Sequence, residues 1–214
     1  QTFPIEFRGG LISNLSPLQQ GTNAVGSATI LQNFEASKEG GYSKIKGYEK
    51  YSDTEVTGSG PILALKVIGS SHIVAARQNA SNATEYYYGA GNTWTSIGAR
   101  PLLGGKARSA LYNLDGNDKV LFVDGVNYPV TYNTSNNTLT AITGSTDVLG
   151  ASHVAVFKHT AFYAKDNNVV FPAPFTVDNF SAADGAGSLN VASDVTGLAV
   201  FRDQLIIFTT DSIK

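Results

Sequence analysis

The side chains able to do chemistry in this 214-residue chain are few and scattered. The three histidines, His72, His153 and His159, lack the spacing of a zinc triad, and no HExxH stretch places two of them on one helix face. The absence of cysteine excludes disulfides and thiolate metal sites. His153 and His159 flank a short apolar stretch next to Lys158, where hydrogen-bonded or solvated turn residues are expected. Asp115-Gly116-Asn117-Asp118 opens like a calcium loop, but its twelfth position is Val126 where a bidentate Glu belongs. A hairpin turn is the expected use, since Asp, Asn and Gly adopt left-handed backbone at low cost.

Hydrolysis of a glycoside needs two carboxylates facing each other across a cleft, roughly 5–10 Å apart. Asp115, Asp118, Asp124, Asp166, Asp178, Asp203 and Asp211 all fall where turns want them, and no pair is singled out. There is no GxSxG, and Gly185-Ala186-Gly187 lacks the Lys and Ser/Thr of a phosphate loop. Gly91-Asn92-Thr93-Trp94 matches the second half of the Asp-box turn of sialidase-type propellers, but Tyr87 and Gly89 stand where its Ser and Asp belong. A structural turn is expected there. Tyr86-Tyr87-Tyr88 could stack on a sugar or base, yet consecutive strand residues face opposite sides, so packing between sheets is the expected role. No catalytic, cofactor-binding or metal-ligating residue is assigned, and the chain is expected not to be an enzyme.

The elements that would position these residues are strands. Charged residues make up 15% of the chain against ~25% in ordinary soluble domains, with Asn, Ser and Thr taking the difference. That profile suits strands and turns better than amphipathic helices, and an all-β fold is expected. No apolar run reaches the ~18 residues of a membrane span, and a net charge of −2 without a basic stripe argues against an electrostatic hold on nucleic acid. Gln1-Thr2-Phe3-Pro4 lacks the regions of a signal peptide. With no initiator Met, and an end inside an apolar strand pattern, the residues are expected to belong to a longer polypeptide.

From Pro61 onward the chain repeats. Leu63 to Arg77, Leu111 to Val123, Val154 to Ala164 and Leu198 to Phe208 each read as an apolar strand, a turn and a second apolar strand. The anchors Val67, Tyr112, Phe157 and Phe201 are spaced by 45, 45 and 44 residues. Third strands follow at Thr84–Tyr88, Tyr128–Tyr132 and Val169–Phe171, and fourth strands at Thr93–Ile97, Thr138–Ile142 and Ser188–Val191. Four strands per ~40–45 residues is the pattern of a β-propeller blade, and residues 61–214 supply about three and a half such blades. A β-sandwich with accidental spacing is the competing fold. Phe157 and Phe201 are expected at equivalent core positions. Residues 1–60 lack such a period and read as an arm or clasp, with one or two helical turns expected around Ile30, Leu31 and Phe34 and edge-like strands after Gly40-Gly41.

The order Gly9-Gly10-Leu11, Pro17-Leu18, Ala28, Leu31-Gln32-Asn33-Phe34, Gly40-Gly41-Tyr42 and Gly47-Tyr48 resembles the start of the tail nozzle, tail tubular and virion stabilisation proteins of short-tailed bacteriophages. Val156-Phe157-Lys158, Phe162-Tyr163-Ala164, Phe171-Pro172-Ala173-Pro174, Asp178-Asn179-Phe180 and Val200 to Leu205 look like their β-propeller blades. The resemblance implies a non-enzymatic virion structural protein of the phage tail. It would assemble with copies of itself as a ring for DNA ejection, touch the genome transiently and without specificity, and dock to an adaptor or portal, other tail proteins or fibres. It implies no cofactor and no membrane span, and it makes Gly9, Gly10, Leu11, Pro17, Leu18, Asn33, Phe34, Gly40, Gly41 and Tyr42 the interface of the arm. The alternative reading is a glycan-binding or glycan-cleaving propeller of the sialidase type, which requires acidic residues converging in a pocket.

Overall fold

Short runs of β-branched and aromatic residues, each ended by Gly, Asn or Asp, form strands because side chains stiff at χ1 pack well on a pleated surface. A computed structural model describes residues 9–16, 18–19, 26–36, 41–69 and 72–214. The chain falls into two units, Gln1–Lys50 and Tyr51–Lys214. In the first, β1 (Phe34–Ala36) pairs antiparallel with β2 (Tyr42–Lys44), and Leu11 bridges Ala28 in parallel. Phe34 thus starts a strand, and no helix forms around it: Ile45 N–H donates to the Asn33 carbonyl and extends the β1–β2 pairing.

The second unit is a succession of antiparallel meanders. The first sheet takes β3 (Ile62–Ile68), β4 (His72–Gln78), β5 (Thr84–Ala90) and β6 (Thr93–Arg100) in chain order. The second takes β7 (Arg108–Tyr112), β8 (Lys119–Val123), β9 (Val130–Asn133) and β10 (Thr138–Ala141). In the third, β11 (His153–Phe157), β12 (Thr160–Lys165), β13 (Asn168–Phe171) and β14 (Gly187–Asn190) follow the same order. A hairpin of β15 (Val195–Phe201) and β16 (Gln204–Thr209) comes last, with Lys214 and Ile207 exchanging both backbone hydrogen bonds as residues 212–214 return along β16. The leading strands end at Ile68, Tyr112, Phe157 and Phe201, in step with the repeat. Asp115-Gly116-Asn117-Asp118 lies in the β7–β8 turn, with Gly116 at φ 85°.

The sheets stack in series, and the second and third are apolar on both faces and bury each against a neighbour. Val74, Ala76 and Tyr86 of the first sheet meet Val120, Phe122, Val130 and Tyr132 of the second. The opposite face of the second sheet, Tyr112, Leu121 and Val123, meets Val154, Ala161, Tyr163 and Val170 of the third. The far face of the third carries Phe162, Ala164 and Val169 against Val195, Leu198, Leu205 and Ile207 of the hairpin. β11 lies between β7 and β15, so the leading strands of the second sheet, the third sheet and the hairpin are neighbours. Among the described residues the sheets do not close on themselves.

The link from the first to the second sheet is held by buried polar groups. Asn127 Oδ1 accepts from the Leu102 N–H (3.1 Å), and its Nδ2 donates to the Leu102 carbonyl (2.8 Å) and to Asp124 Oδ2 (2.7 Å). Asp124 Oδ1 accepts from the N–H groups of Val126 and Asn127, and Thr84 Oγ1 accepts from Gly104 N–H. Gly104 has to be glycine, because a Cβ there would lie 2.3 Å from the Asp124 carboxylate. Every member is paired, as burial of polar groups demands.

Phe157 and Phe201 are equivalent but are not core residues. Each closes a leading strand at a two-residue turn with a basic residue folded over its ring, Lys158 Nζ at 5.1 Å and Arg202 Cζ at 5.2 Å from the centroids. Phe157 is half-buried, whereas Phe201 is 59% exposed because no sheet covers its face. We expect Phe201→Ala to cost less than about 1 kcal/mol and Phe122→Ala, fully buried between two sheets, about 3–5 kcal/mol, read by urea denaturation. Asn127→Ala, which strips Leu102 and Asp124 of partners, is expected to cost about 2–4 kcal/mol; a loss below about 0.5 kcal/mol would show that the link does not depend on this side chain.

Candidate functional site

Two places gather side chains of the kind the sequence singles out. The first lies in the Gln1–Lys50 unit. Gly9 N–H donates to the Gly26 carbonyl (3.1 Å), Ala28 N–H to Gly10 (2.9 Å) and Ile12 N–H to Ala28 (3.0 Å), which lays Gly9-Gly10-Leu11 along residues 26–28. A Cβ on Gly9 would sit 2.6–2.8 Å from Ser27, so the two segments approach this closely only through glycine. Beside them an apolar cavity of about 810 Å³ is lined by Ala28, Ile30, Leu31, Gln32, Phe34, Gly41 and Tyr42. The cavity thus unites Phe34, Gly41 and Tyr42 of the expected arm interface, while Leu11 stands next to it through its bridge to Ala28. The Tyr42 hydroxyl is buried without a hydrogen-bond partner. Asn33 adopts φ 62° just before β1, and Leu18 is exposed. Pro17 and Gly40 lie outside the described residues.

The second place is a cleft of about 720 Å³ on the face of the first sheet turned away from the second, lined among others by Thr57, Ser59, Asn79, Glu85, Tyr87, Trp94 and Ser96. Cross-strand register explains the grouping: Ser96, Tyr87 and Ala75 share one row, and Glu85 and Arg77 the next. Tyr87 therefore faces the cleft while Tyr86 packs on Phe122 and Tyr88 on Tyr132 of the second sheet. Glu85 accepts from Ser96 Oγ (2.6 Å) and Asn79 Nδ2 (3.0 Å), and the Ser96 bond is the main reason its carboxyl stays below the usual range. Burial, with the Glu85 charge beside it, pushes the Tyr87 phenol up to about 12.

Residues 51–60 form one wall of this cleft. Trp94 Nε1 donates to the Thr54 carbonyl (3.0 Å), Tyr51 meets the indole edge-on at 6.4 Å, and Asp53 N–H donates to Asn92 Oδ1 (3.3 Å). Arg77 donates to the carbonyls of Gly60 (2.8 Å) and Val56. The Gly91-Asn92-Thr93-Trp94 turn is therefore a clamp for residues 51–60. Glu85 is the only carboxylate lining the cleft among the described residues, so the pair that glycoside cleavage requires is not assembled there. Asp115, Asp118, Asp178 and Asp211 each serve a turn, bonded to Lys119, Asn113, Gly144 and Ser193 respectively. Among the described residues no group of three or more His, Asp or Glu could hold a metal ion.

His153 is the residue whose environment the sequence does not disclose. At the head of β11 it is only 8% exposed; Ser152 Oγ lies 2.9 Å from its Nδ1, and Nε2 has no hydrogen-bond partner within reach. Burial first, then the Arg108 charge on β7, lowers its pKa below 6.5, opposed in part by the Thr196 backbone on β15. A base whose folded pKa is depressed is protonated first in the unfolded chain. Stability is therefore full above pH ~6.5 and is lost as pH falls below it, until the folded-state pKa is reached. We expect the urea midpoint to drop as the pH falls below about 6.5, and His153→Gln to flatten that part of the profile; an unchanged slope would overturn the assignment.

No protein-family model matches the chain, and no curated protein sequence matches it. Among solved structures it is similar to the structure of U3-55K, at 12% identity and a TM-score of 0.43, over 68% of this chain and 45% of that one. The chain thus spans less than half of the U3-55K chain, and a likeness this weak assigns no function.

Proposed function

We propose that this chain is a non-enzymatic structural protein of a virion, a nozzle, conduit or stabilising component of a short-tailed phage tail whose copies assemble as a ring for DNA passage. One observation carries the reading: among the described residues of the Gln1–Lys50 unit, several large apolar side chains are exposed, Leu18, Ile30 and Tyr48 at 87, 82 and 96%. Apolar groups displayed in this number mark a surface that another protein covers, and a neighbouring copy in a ring is the occupant that the resemblance of Gly9-Gly10-Leu11 and Gly40-Gly41-Tyr42 to the phage family suggests.

Three further features support it. Three meanders and a hairpin in step with a 44–45-residue repeat suit β-propeller blades. A net charge of −2 suits a lumen through which phosphates slide without sticking. Contacts between ring neighbours are heterologous and close by rotation, which leaves the two ring faces for an adaptor or portal on one side and tail proteins or fibres on the other. Electron microscopy of the purified protein tests the reading: class averages should show a closed ring with rotational symmetry and a central channel. Removal of residues 1–50 should abolish those rings and leave the sheets folded by circular dichroism, and rings that persist without these residues would refute the role given to the arm.

A further inference from the structure

We propose that a small cavity between the first and second sheets binds a monocarboxylate anion, its charge on Arg100 and its short hydrocarbon part against apolar walls. Arg100 closes β6, at the point where the chain leaves the first sheet for the second. Its Nε is sealed from solvent without a hydrogen-bond partner, and among the described residues no carboxylate forms an ion pair with it. The neighbouring arginines show how unusual this is. Arg77 donates to the carbonyls of Gly60 and Val56, Arg108 donates to that of Ser152, and Arg202 lies over the Phe201 ring. A donor withdrawn from water without an acceptor is costly, and more so on a charged group, so a buried exception calls for a missing partner.

The cavity shows what that partner is. It holds about 160 Å³ and is lined, besides Arg100, by Pro101, Leu102, Val126, Asn127, Tyr128 and Leu149. An apolar cavity of ~150 Å³ accepts a molecule the size of benzene. Leu102, Val126 and Leu149 come from three separate links and are each partly exposed, which places apolar groups at the mouth. Asn127 has no donor to spare, since both hydrogens of its Nδ2 go to the Leu102 carbonyl and Asp124. Asp124 does not line the cavity and is already held by Asn127 and two backbone N–H groups, so it is not the counter-ion of Arg100. One guanidinium is then the cation on offer, and its planar fork matches the two oxygens of a carboxylate. A phosphate dianion would bring a second charge into apolar surroundings with no donor to receive it.

The site lies within the Tyr51–Lys214 unit and does not rest on the virion reading, since ring formation and acid binding are read separately. Its test is a titration of the full chain with benzoate and with isovalerate, followed in the methyl NMR spectrum. The Leu102, Val126 and Leu149 methyls should shift and saturate, while benzamide and isovaleramide, equal in shape but uncharged, should bind about tenfold more weakly or worse. Arg100→Gln should bring the same loss with unchanged circular dichroism. Val126→Phe, which fills the mouth and leaves the guanidinium in place, should also abolish binding, and it decides the matter if Arg100→Gln fails to fold. N-acetyl-leucine stands for the end of a peptide chain, and its binding more tightly or more weakly than isovalerate assigns the anion to a polypeptide or to a free acid. Absence of saturable shifts, equal binding of the amides, equal binding of inorganic phosphate, or binding that survives either substitution would overturn the proposal.

Discussion

A four-stranded sheet that is apolar on both faces cannot stand alone in water, and everything else in the Tyr51–Lys214 unit follows from that constraint. The second sheet shows it best. Val120, Phe122, Val130 and Tyr132 fill one side and Tyr112, Leu121 and Val123 the other, so it is stable only with a sheet on each side. Repetition is the economical answer, since one sheet design whose leading face fits its own trailing face can be used again without limit. The regular spacing of the leading strands is the sequence trace of that reuse.

Close stacking obliges the chain to cross from the last strand of one sheet to the first of the next, and the crossing carries backbone groups into a buried place. Thr84, Asp124 and Asn127 are there for that reason. Asn127 offers the Leu102 peptide both an acceptor and a donor, as a neighbouring strand would, and Asp124 satisfies the turn that delivers Asn127. His153 stands at the head of the corresponding strand in the third sheet, wedged among leading strands, with one ring nitrogen left without a partner.

Much of this was legible in the sequence. The strands of the three meanders and the closing hairpin follow from apolar runs separated by turn residues, and their grouping from spacing. The misplacement of Phe157 and Phe201 is instructive: repetition identifies equivalent positions, but burial also depends on what lies across the face, and neither local pattern nor period contains that. The strand at Phe34–Ala36 was missed because an apolar cluster at Ile30, Leu31 and Phe34 suits one helical turn as well as a bridge to a distant segment. The cleft around Glu85 was equally invisible, since its wall comes from residues 51–60 and its floor from cross-strand rows. The half Asp-box was read correctly as structural, although its partner, the 51–54 segment, could be found only in three dimensions.

That clamp has an optical consequence. Trp94 is the only tryptophan among 214 residues, and its indole is bonded through Nε1 to the Thr54 carbonyl and flanked by the Tyr51 ring. Intrinsic fluorescence excited at the red edge of protein absorption thus comes from a single fluorophore at one end of the array. Its emission follows the seating of residues 51–60 on the first sheet, while the third sheet and the hairpin stay dark in the same spectrum. The chain carries its own site-specific reporter, and detachment of this segment can be told apart from unfolding of the rest without attaching a label.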